Sequence, residues 1–356
     1  MSVETQAAEL DDFGGLLDLG KLNAWIGDRA DVPGSGPVTG ARKLVGGLAN
    51  AVFMIERGGQ SIVLRRPPKH LRPNSNETIL REARLLKALG ATQVPHPRFY
   101  ALCDDASVIG ANFYLMEPIE GFSPIGQLPG EYGTNAAWRR AMGEELVRAA
   151  ASLGSVDYKA VGLEDFGKPN NWHERQVERW RWQLEGYAET PGYDPTALPH
   201  FDEVGRWLLD NLPTNRRIGI IHGDFQFPNL MFSLKAPKVS GIIDWEIGTL
   251  GDPMLDFAWI LTSWFEEGDP PGKKPMVEPW DGFPTRAELI RLYGELSGRD
   301  MSATPWFFAL ACYKLSVLLE GTVARAKAGK VPADVGEQVH RYCVWLMELG
   351  RKVIAG

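Results

Sequence analysis

The chain has 356 residues, 44% of them apolar and 23% charged, with a net charge of −7. This ordinary globular composition excludes a mainly disordered chain, and the acidic balance speaks against a general nucleic-acid binder, which carries a basic excess. Cys103, Cys312 and Cys343 are far apart and odd in number, so neither a disulfide framework nor a cysteine zinc site is expected, and a cytoplasmic location fits. No basic residue precedes Lys21 and no apolar core follows the start, so no signal peptide is expected. No window reaches about 18 uninterrupted apolar residues, so neither a spanning helix nor a membrane partner is expected.

In chain order, residues 1–15 are acidic and glycine-containing, and Leu16–Ile26 predicts a short helix before a Pro/Gly-rich link at 31–40. Leu44-Val45 and Ala51–Ile55 predict strands around a turn at Gly46–Asn50. Gly58-Gly59 predicts a second turn and Ser61–Arg65 a third strand, which Pro67-Pro68 ends. Ile79, Ala83 and Leu86 share one face of a helix over 76–89, and a strand pair is expected at 98–103 and 112–117. After Gly121 the pattern turns helical, over Ala136–Gly154, Trp172–Tyr187 and Phe201–Asn211. Three short β-like runs interrupt it, at Ile218–Ile221, Leu230–Phe232 and Gly241–Ile243. Met254–Phe265 is very apolar but too short to span a bilayer, which predicts a buried core helix. The helical pattern then continues, broken by a Pro/Gly loop at 268–284. The expected class is α+β: a small antiparallel β-rich lobe over 1–119, then a larger, mostly helical lobe over 120–356.

The most informative segment is His222–Asn229, HGDFQFPN, set between two apolar runs. A second carboxylate, Asp244, follows the run 241–243. The runs 230–232 and 241–243 predict a hairpin, which would bring Asp244 back towards Asp224 and Asn229. Two carboxylates and an amide oxygen are hard ligands suited to Mg²⁺. In that reading Asp224 accepts a proton from a substrate hydroxyl, while Asn229 and Asp244 hold the metal. The spacing His-x-Asp-x-x-x-x-Asn is that of the kinase catalytic loop. Taken alone it also describes a capping Asp and a structural His in an unremarkable turn.

HGD…N at 222–229, followed by Ile243-Asp244-Trp245-Glu246 and Gly251-Asp252-Pro253…Asp256-Phe257-Ala258, resembles the aminoglycoside phosphotransferase/choline kinase family. Within it, Val63–Pro68 and Arg175-Gln176-Val177…Trp180…Gln183 resemble the kinase-like domains found alone in bacteria or fused to acyl-CoA dehydrogenases. The resemblance covers about residues 40 to 345 and implies a bilobal protein-kinase-like fold. Strand alternation puts Val63 and Arg65 on one face, where protein kinases place a phosphate-holding lysine, and Arg66 on the other, where solvent is expected. Glu82 lies beside the apolar stripe of its helix and is the expected partner of Arg65. By resemblance, backbone N–H groups at Gly46 and Gly47 would cover the phosphates. The same resemblance makes Met116, Glu117 and Ile119 a hinge that binds adenine. Asp252, ahead of Pro253, is expected to cap a helix, and Asp256 to hold the catalytic loop through backbone N–H groups.

The expected activity is transfer of the γ-phosphate of Mg²⁺–ATP, or of GTP, to a hydroxyl of a small molecule. The acceptor stays open between an antibiotic and a metabolite such as a hydroxyacyl thioester. Arg175, Arg179 and Arg181 suit either a basic acceptor patch or the solvated face of a helix. Oligomeric state is left open. The rival readings are a non-catalytic nucleotide-binding scaffold with a kinase fold and a metal-dependent hydrolase using the same acids.

Overall fold

The computed structural model describes residues 13, 15–44, 50–270 and 273–356. The chain divides into two compact units. The first comprises residues 1–120 with 161–163 and 240–246, and the second comprises 121–160, 164–239 and 247–356.

In the first unit, α1 (Leu19–Ile26) precedes β1 (Val38–Lys43), β2 (Ala51–Arg57) and β3 (Gln60–Arg66). Then come α2 (Ser75–Leu89), β4 (Phe99–Cys103) and β5 (Phe113–Met116). Among the described residues the five strands form one sheet in the order β1-β2-β3-β5-β4, every pair antiparallel. β2 and β3 meet at Gly58-Gly59, with φ of +52° and +75°. Two left-handed residues in a two-residue loop match the twist of the strands, and a Cβ at Gly58 would also lie 2.5 Å from Ser35 N.

β1 begins inside the Pro/Gly link expected at 31–40 and ends just before Leu44-Val45, where a strand is expected; Leu44 is outside the strand and Val45 lies outside the described residues. The residues of β1 are mostly exposed or half-buried and carry no apolar alternation, so an edge strand of this kind leaves no period-2 signal. The second departure is Arg66. It is 2% exposed, not solvated, and donates from Nη1 to the carbonyls of Leu16 and Ile109 (2.5 and 2.6 Å) and from Nε to Pro67 O (3.1 Å). The face that alternation assigns to water is covered by the N-terminal segment, whose Leu16, Leu17, Leu22 and Ile26 join a core with Phe53, Ile55, Ile62 and Leu64. Arg57, on that same face, donates to carbonyls of Gly27, Val32 and Gly36 (2.8, 2.8 and 2.9 Å). Both guanidiniums satisfy carbonyls of loops that have no ladder of their own.

The second unit begins with β6 (Gly126–Gln127), α3 (Gly130–Thr134), α4 (Ala136–Ser155), α5 (Arg175–Gly186) and α6 (Phe201–Asp210). β7 (Gly219–Ile221) leads into the HGD segment, and β8 (Leu230–Phe232) follows it. The chain then turns, closed by Ser233 N–H donating to Lys238 O (3.0 Å), into β9 (Val239–Ile242), within which the unit boundary falls. β10 (Thr249–Gly251), α7 (Met254–Ser263), β11 (Val277–Glu278), α8 (Arg286–Ser297), α9 (Thr304–Lys327) and α10 (Ala333–Ala355) complete it. α7 is the buried core helix that its apolar run predicts. One described helix, spanning 301–327 with its lead-in turn, is long and apolar enough to cross a membrane, contrary to the expectation of none. However, 78% of its apolar window is buried in the protein, where α5, α6, α7 and α10 pack against α9, so it serves as a core helix.

Candidate active site

In the first unit, Arg65 is the centre of a charged cluster. β3 presents it on the face carrying α2, and α2 presents Glu82 from beside its buried Ile79 and Leu86. Arg65 Nε lies 2.7 Å from Glu82 Oε2, and Nη2 donates to Asp244 Oδ1 at 2.7 Å. Tyr114 OH donates to Glu82 Oε2 (2.8 Å), and Glu246 Oε2 stands 3.9 Å from Arg65 Nη2 while accepting from Asn50 Nδ2 (3.1 Å). Burial works against the charge on Arg65, but Glu82, Tyr114 and Asp244 outweigh it and hold its pKa above the ordinary arginine value. Burial pushes the Glu82 carboxyl up, against the pull of Arg65 and Tyr114. Asp244 has φ +64°, a left-handed conformation that Asp tolerates better than most residues, and its side chain remains 37% exposed. The link from Arg65 to Asp244 and Glu246 has no sequence signal, because the partners are some 179 residues apart.

Met116 closes β5, paired with Val63 and Phe99. The Glu117 N–H donates to Arg98 O (2.9 Å) and its side chain accepts from Arg98 N (3.2 Å), which leaves Glu117 its carbonyl to offer a base edge. Ile119 packs on Gly241, where an added Cβ would lie 3.2 Å from its Cδ1. Gly46 and Gly47 lie outside the described residues.

In the second unit, the HGD segment is held from behind. Asp256, on α7 and 2% exposed, accepts from the N–H groups of His222 (2.6 Å) and Gly223 (2.9 Å). Burial pushes its carboxyl up, opposed by His222, those two N–H groups and Lys314. Gly223 takes φ +87°, and its carbonyl accepts from Lys314 Nζ on α9 (3.0 Å). Asp224 Oδ1 accepts from Gln226 Nε2 (2.6 Å) and Trp259 Nε1 (2.9 Å). Its Oδ2 accepts from Asn229 Nδ2 (2.7 Å), which also donates to the Asp224 carbonyl (2.8 Å). Oδ1 thus carries two donors and Oδ2 one, so Oδ2 is the atom with capacity to take another proton. With Nδ2 spent on Asp224, the amide oxygen is what Asn229 has to offer a cation. Gln226, Trp259 and Lys314 escaped the sequence reading. The one signal for Lys314 is that it is the single charged residue in the otherwise uncharged run 304–319, and burial lowers its pKa to about 8.

Asp252, expected to cap a helix, sits one residue ahead of the N-cap of α7, Pro253; it accepts from the Met254 N–H (3.1 Å) and is a fully buried hub. Its carboxylate takes Arg299 Nη1 (2.5 Å) and the Arg217 N–H (3.1 Å), with His173 Nε2 at 3.0 Å. Burial works to raise it, yet these donors hold it below the ordinary carboxylate value. Of the three arginines of α5, Arg175 is spent on the carbonyls of Lys168, Asn170 and Asn171, and Arg181 on Asp202 (2.7 Å). Arg179 lies over the Trp180 ring, 5.0 Å from its centroid. Among the described residues no three His, Cys, Asp or Glu side chains form a metal cluster. Each unit, taken by itself, offers a hard oxygen of the kind Mg²⁺ accepts: the Asn229 amide oxygen in the second and the partly exposed Asp244 carboxylate in the first.

A family model described as the phosphotransferase enzyme family matches residues 40–289. Acyl-CoA dehydrogenase family member 11 of Rattus norvegicus is 31% identical over 328 residues, covering 88% of this chain and 40% of that protein. The chain therefore spans about two fifths of the length of that curated relative. A solved structure from Ralstonia eutropha, a provisionally assigned aminoglycoside phosphotransferase, is 32% identical, with a TM-score of 0.78 and coverage of 94% of this chain and 98% of that one. Aminoglycoside phosphotransferase APH(2'')-Ib, solved with ADP, shares the fold at 16% identity and a TM-score of 0.61, covering 94% and 99%.

Proposed function

Since the chain belongs to the phosphotransferase enzyme family, we propose that it transfers the γ-phosphoryl group of ATP to a hydroxyl of a small molecule, with Asp224 as proton acceptor. The observation that carries this is the pattern on Asp224: two donors fix Oδ1, and one donor, Asn229, orients Oδ2. In the proposed step the acceptor O–H gives its proton to Asp224 Oδ2 and its oxygen bonds to the γ-phosphorus. The bond from that phosphorus to the β–γ bridging oxygen breaks, releasing ADP. Mg²⁺, held through Asn229 Oδ1 and Asp244, would supply charge neutralisation for the phosphates. Arg65 keeps Asp244 in place, and its Nη1 group is the part of the fork available to a phosphate. Met116, Glu117 and Ile119 are proposed to border the base. The ADP in the structural neighbour supports a nucleotide donor, and GTP is the alternative donor.

For the acceptor, the relative named as an acyl-CoA dehydrogenase family member favours a metabolite such as a hydroxyacyl thioester. The 32% identical neighbour favours an aminoglycoside. Three free, buried cysteines support a cytoplasmic setting. The test is a screen of hydroxyl-bearing metabolites and antibiotics for consumption of ATP and GTP, read by product mass. A product heavier than its acceptor by one phosphoryl group, absent with Asp224→Asn, is expected. Nucleotide binding with no product from any acceptor would favour the scaffold reading, and phosphate release alone would favour the hydrolase.

A further inference from the structure

A buried ammonium lies beneath the HGD loop with no carboxylate at ion-pair distance, the Asp256 and Asp224 carboxylates acting on it only from farther away. Lys314 is 6% exposed and, among the described residues, has no ion-pair partner. Its Nζ has instead the Gly223 carbonyl at 3.0 Å and two indole faces, with centroids at 4.5 Å (Trp259) and 5.6 Å (Trp180). Around it on α9, Leu310, Ala311, Tyr313 and Val317 are buried apolar or aromatic residues, so a methionine would fill the position without the cost of desolvating a charge. A requirement of packing alone does not call for lysine here.

Its neighbour supplies the reason. Trp259 is 1% exposed, and its Nε1–H donates to Asp224 Oδ1. A cation seated on the face of an indole draws electron density from the ring and strengthens its N–H as a donor. We propose that Trp259 and Lys314 are positioning residues for Asp224: the indole N–H fixes Oδ1, and the ammonium locks both the indole and the Gly223 carbonyl, so that the carboxylate stands still when the acceptor arrives. The inference rests on the reading of Asp224 as proton acceptor.

The experiment compares Trp259→Phe, Lys314→Met and Asp224→Asn in full-length protein. Two readouts are used: Mg²⁺–ATP turnover with water as acceptor, followed by ADP release, and the indole ¹H–¹⁵N spectrum of protein labelled at tryptophan. Trp259→Phe keeps the ring and loses the N–H, and it deletes one indole peak, which assigns it. That peak is expected to move in both Asp224→Asn and Lys314→Met. Turnover is expected to fall about 10- to 100-fold in Trp259→Phe and Lys314→Met, with the KM for ATP changed by less than about threefold, as loss of orientation without loss of binding requires. If Asp224→Asn loses turnover while Trp259→Phe keeps it within about twofold, the positioning role is overturned and the reading of Asp224 as proton acceptor stands. If Asp224→Asn itself keeps turnover, both fall. Should Lys314→Met not fold, the Trp259→Phe kinetics and the response of the indole peak to Asp224→Asn decide the matter.

Discussion

Asp224 and Asp244 are both aspartates in loops after short strands, yet their surroundings assign them different work. Asp224 is held by three side-chain donors, one indole and two amides, none of them a cation. Asp244 is bound to a guanidinium that is itself anchored on a buried glutamate. On the proposed mechanism, in which Asp224 accepts the proton, Asp224→Asn is therefore expected to abolish most turnover while leaving Mg²⁺–ATP affinity within about threefold. Asp244→Asn is expected to lose turnover and also to weaken nucleotide binding in the presence of Mg²⁺, with little change in its absence. Calorimetric titration of ATP into each variant, with and without the metal, checks this. Equal losses of affinity in both variants would end the division of roles. Arg65 in place of a lysine follows the same logic, since a planar fork reaches Glu82 and Asp244 together where a point charge would not orient both.

β3 is buried along most of its length, Ile62 to Arg66, and the two guanidiniums at its end have opposite duties. Arg65 faces α2 and Asp244, while Arg66 faces the N-terminal segment and holds two of its neighbours' carbonyls. Arg66→Met keeps the length of the side chain but leaves the Leu16 and Ile109 carbonyls without that donor. The expected cost is about 2–4 kcal/mol, read as a lower urea midpoint with an unchanged slope. A loss below about 0.5 kcal/mol would mean that the N-terminal segment does not depend on this anchor.

At the scale of the whole chain, stability carries a pH dependence traceable to buried lysines. Lys273 Nζ donates to the carbonyls of Thr262 (2.6 Å) and Trp264 (3.0 Å) beneath the Trp345 ring. Burial, with Arg286 nearby, lowers its pKa from 10.5 to about 7, although Asp269 pulls the other way. Between those values the folded protein binds fewer protons than the unfolded chain, so stability rises with pH across that window and the full penalty of the buried charge applies below about 7. Wild type should therefore gain stability relative to Lys273→Met between pH 7 and pH 9.5, by at most on the order of 1 kcal/mol per pH unit. Paired urea melts at the two pH values test the sign. A gap that stays constant would show that Lys273 keeps its proton throughout.

The sequence by itself determined the α+β class, the family and the residues of the HGD…N and Asp244 segments, because each depends on near neighbours: hydrophobic period, turn glycines and fixed spacing within a loop. It also indicated that Asp256 serves the loop from behind, since a carboxylate at the start of a buried helix needs N–H partners. Tertiary structure alone decided that Arg66 is buried, because period-2 alternation cannot tell a face open to water from one covered by a segment 50 residues earlier. It alone decided β1, whose edge position leaves no apolar pattern. And it alone brought Trp259 and Lys314, 35 and about 90 residues beyond the loop, to Asp224 and Gly223, for contacts between helices that meet only in the folded core leave no mark in a local pattern.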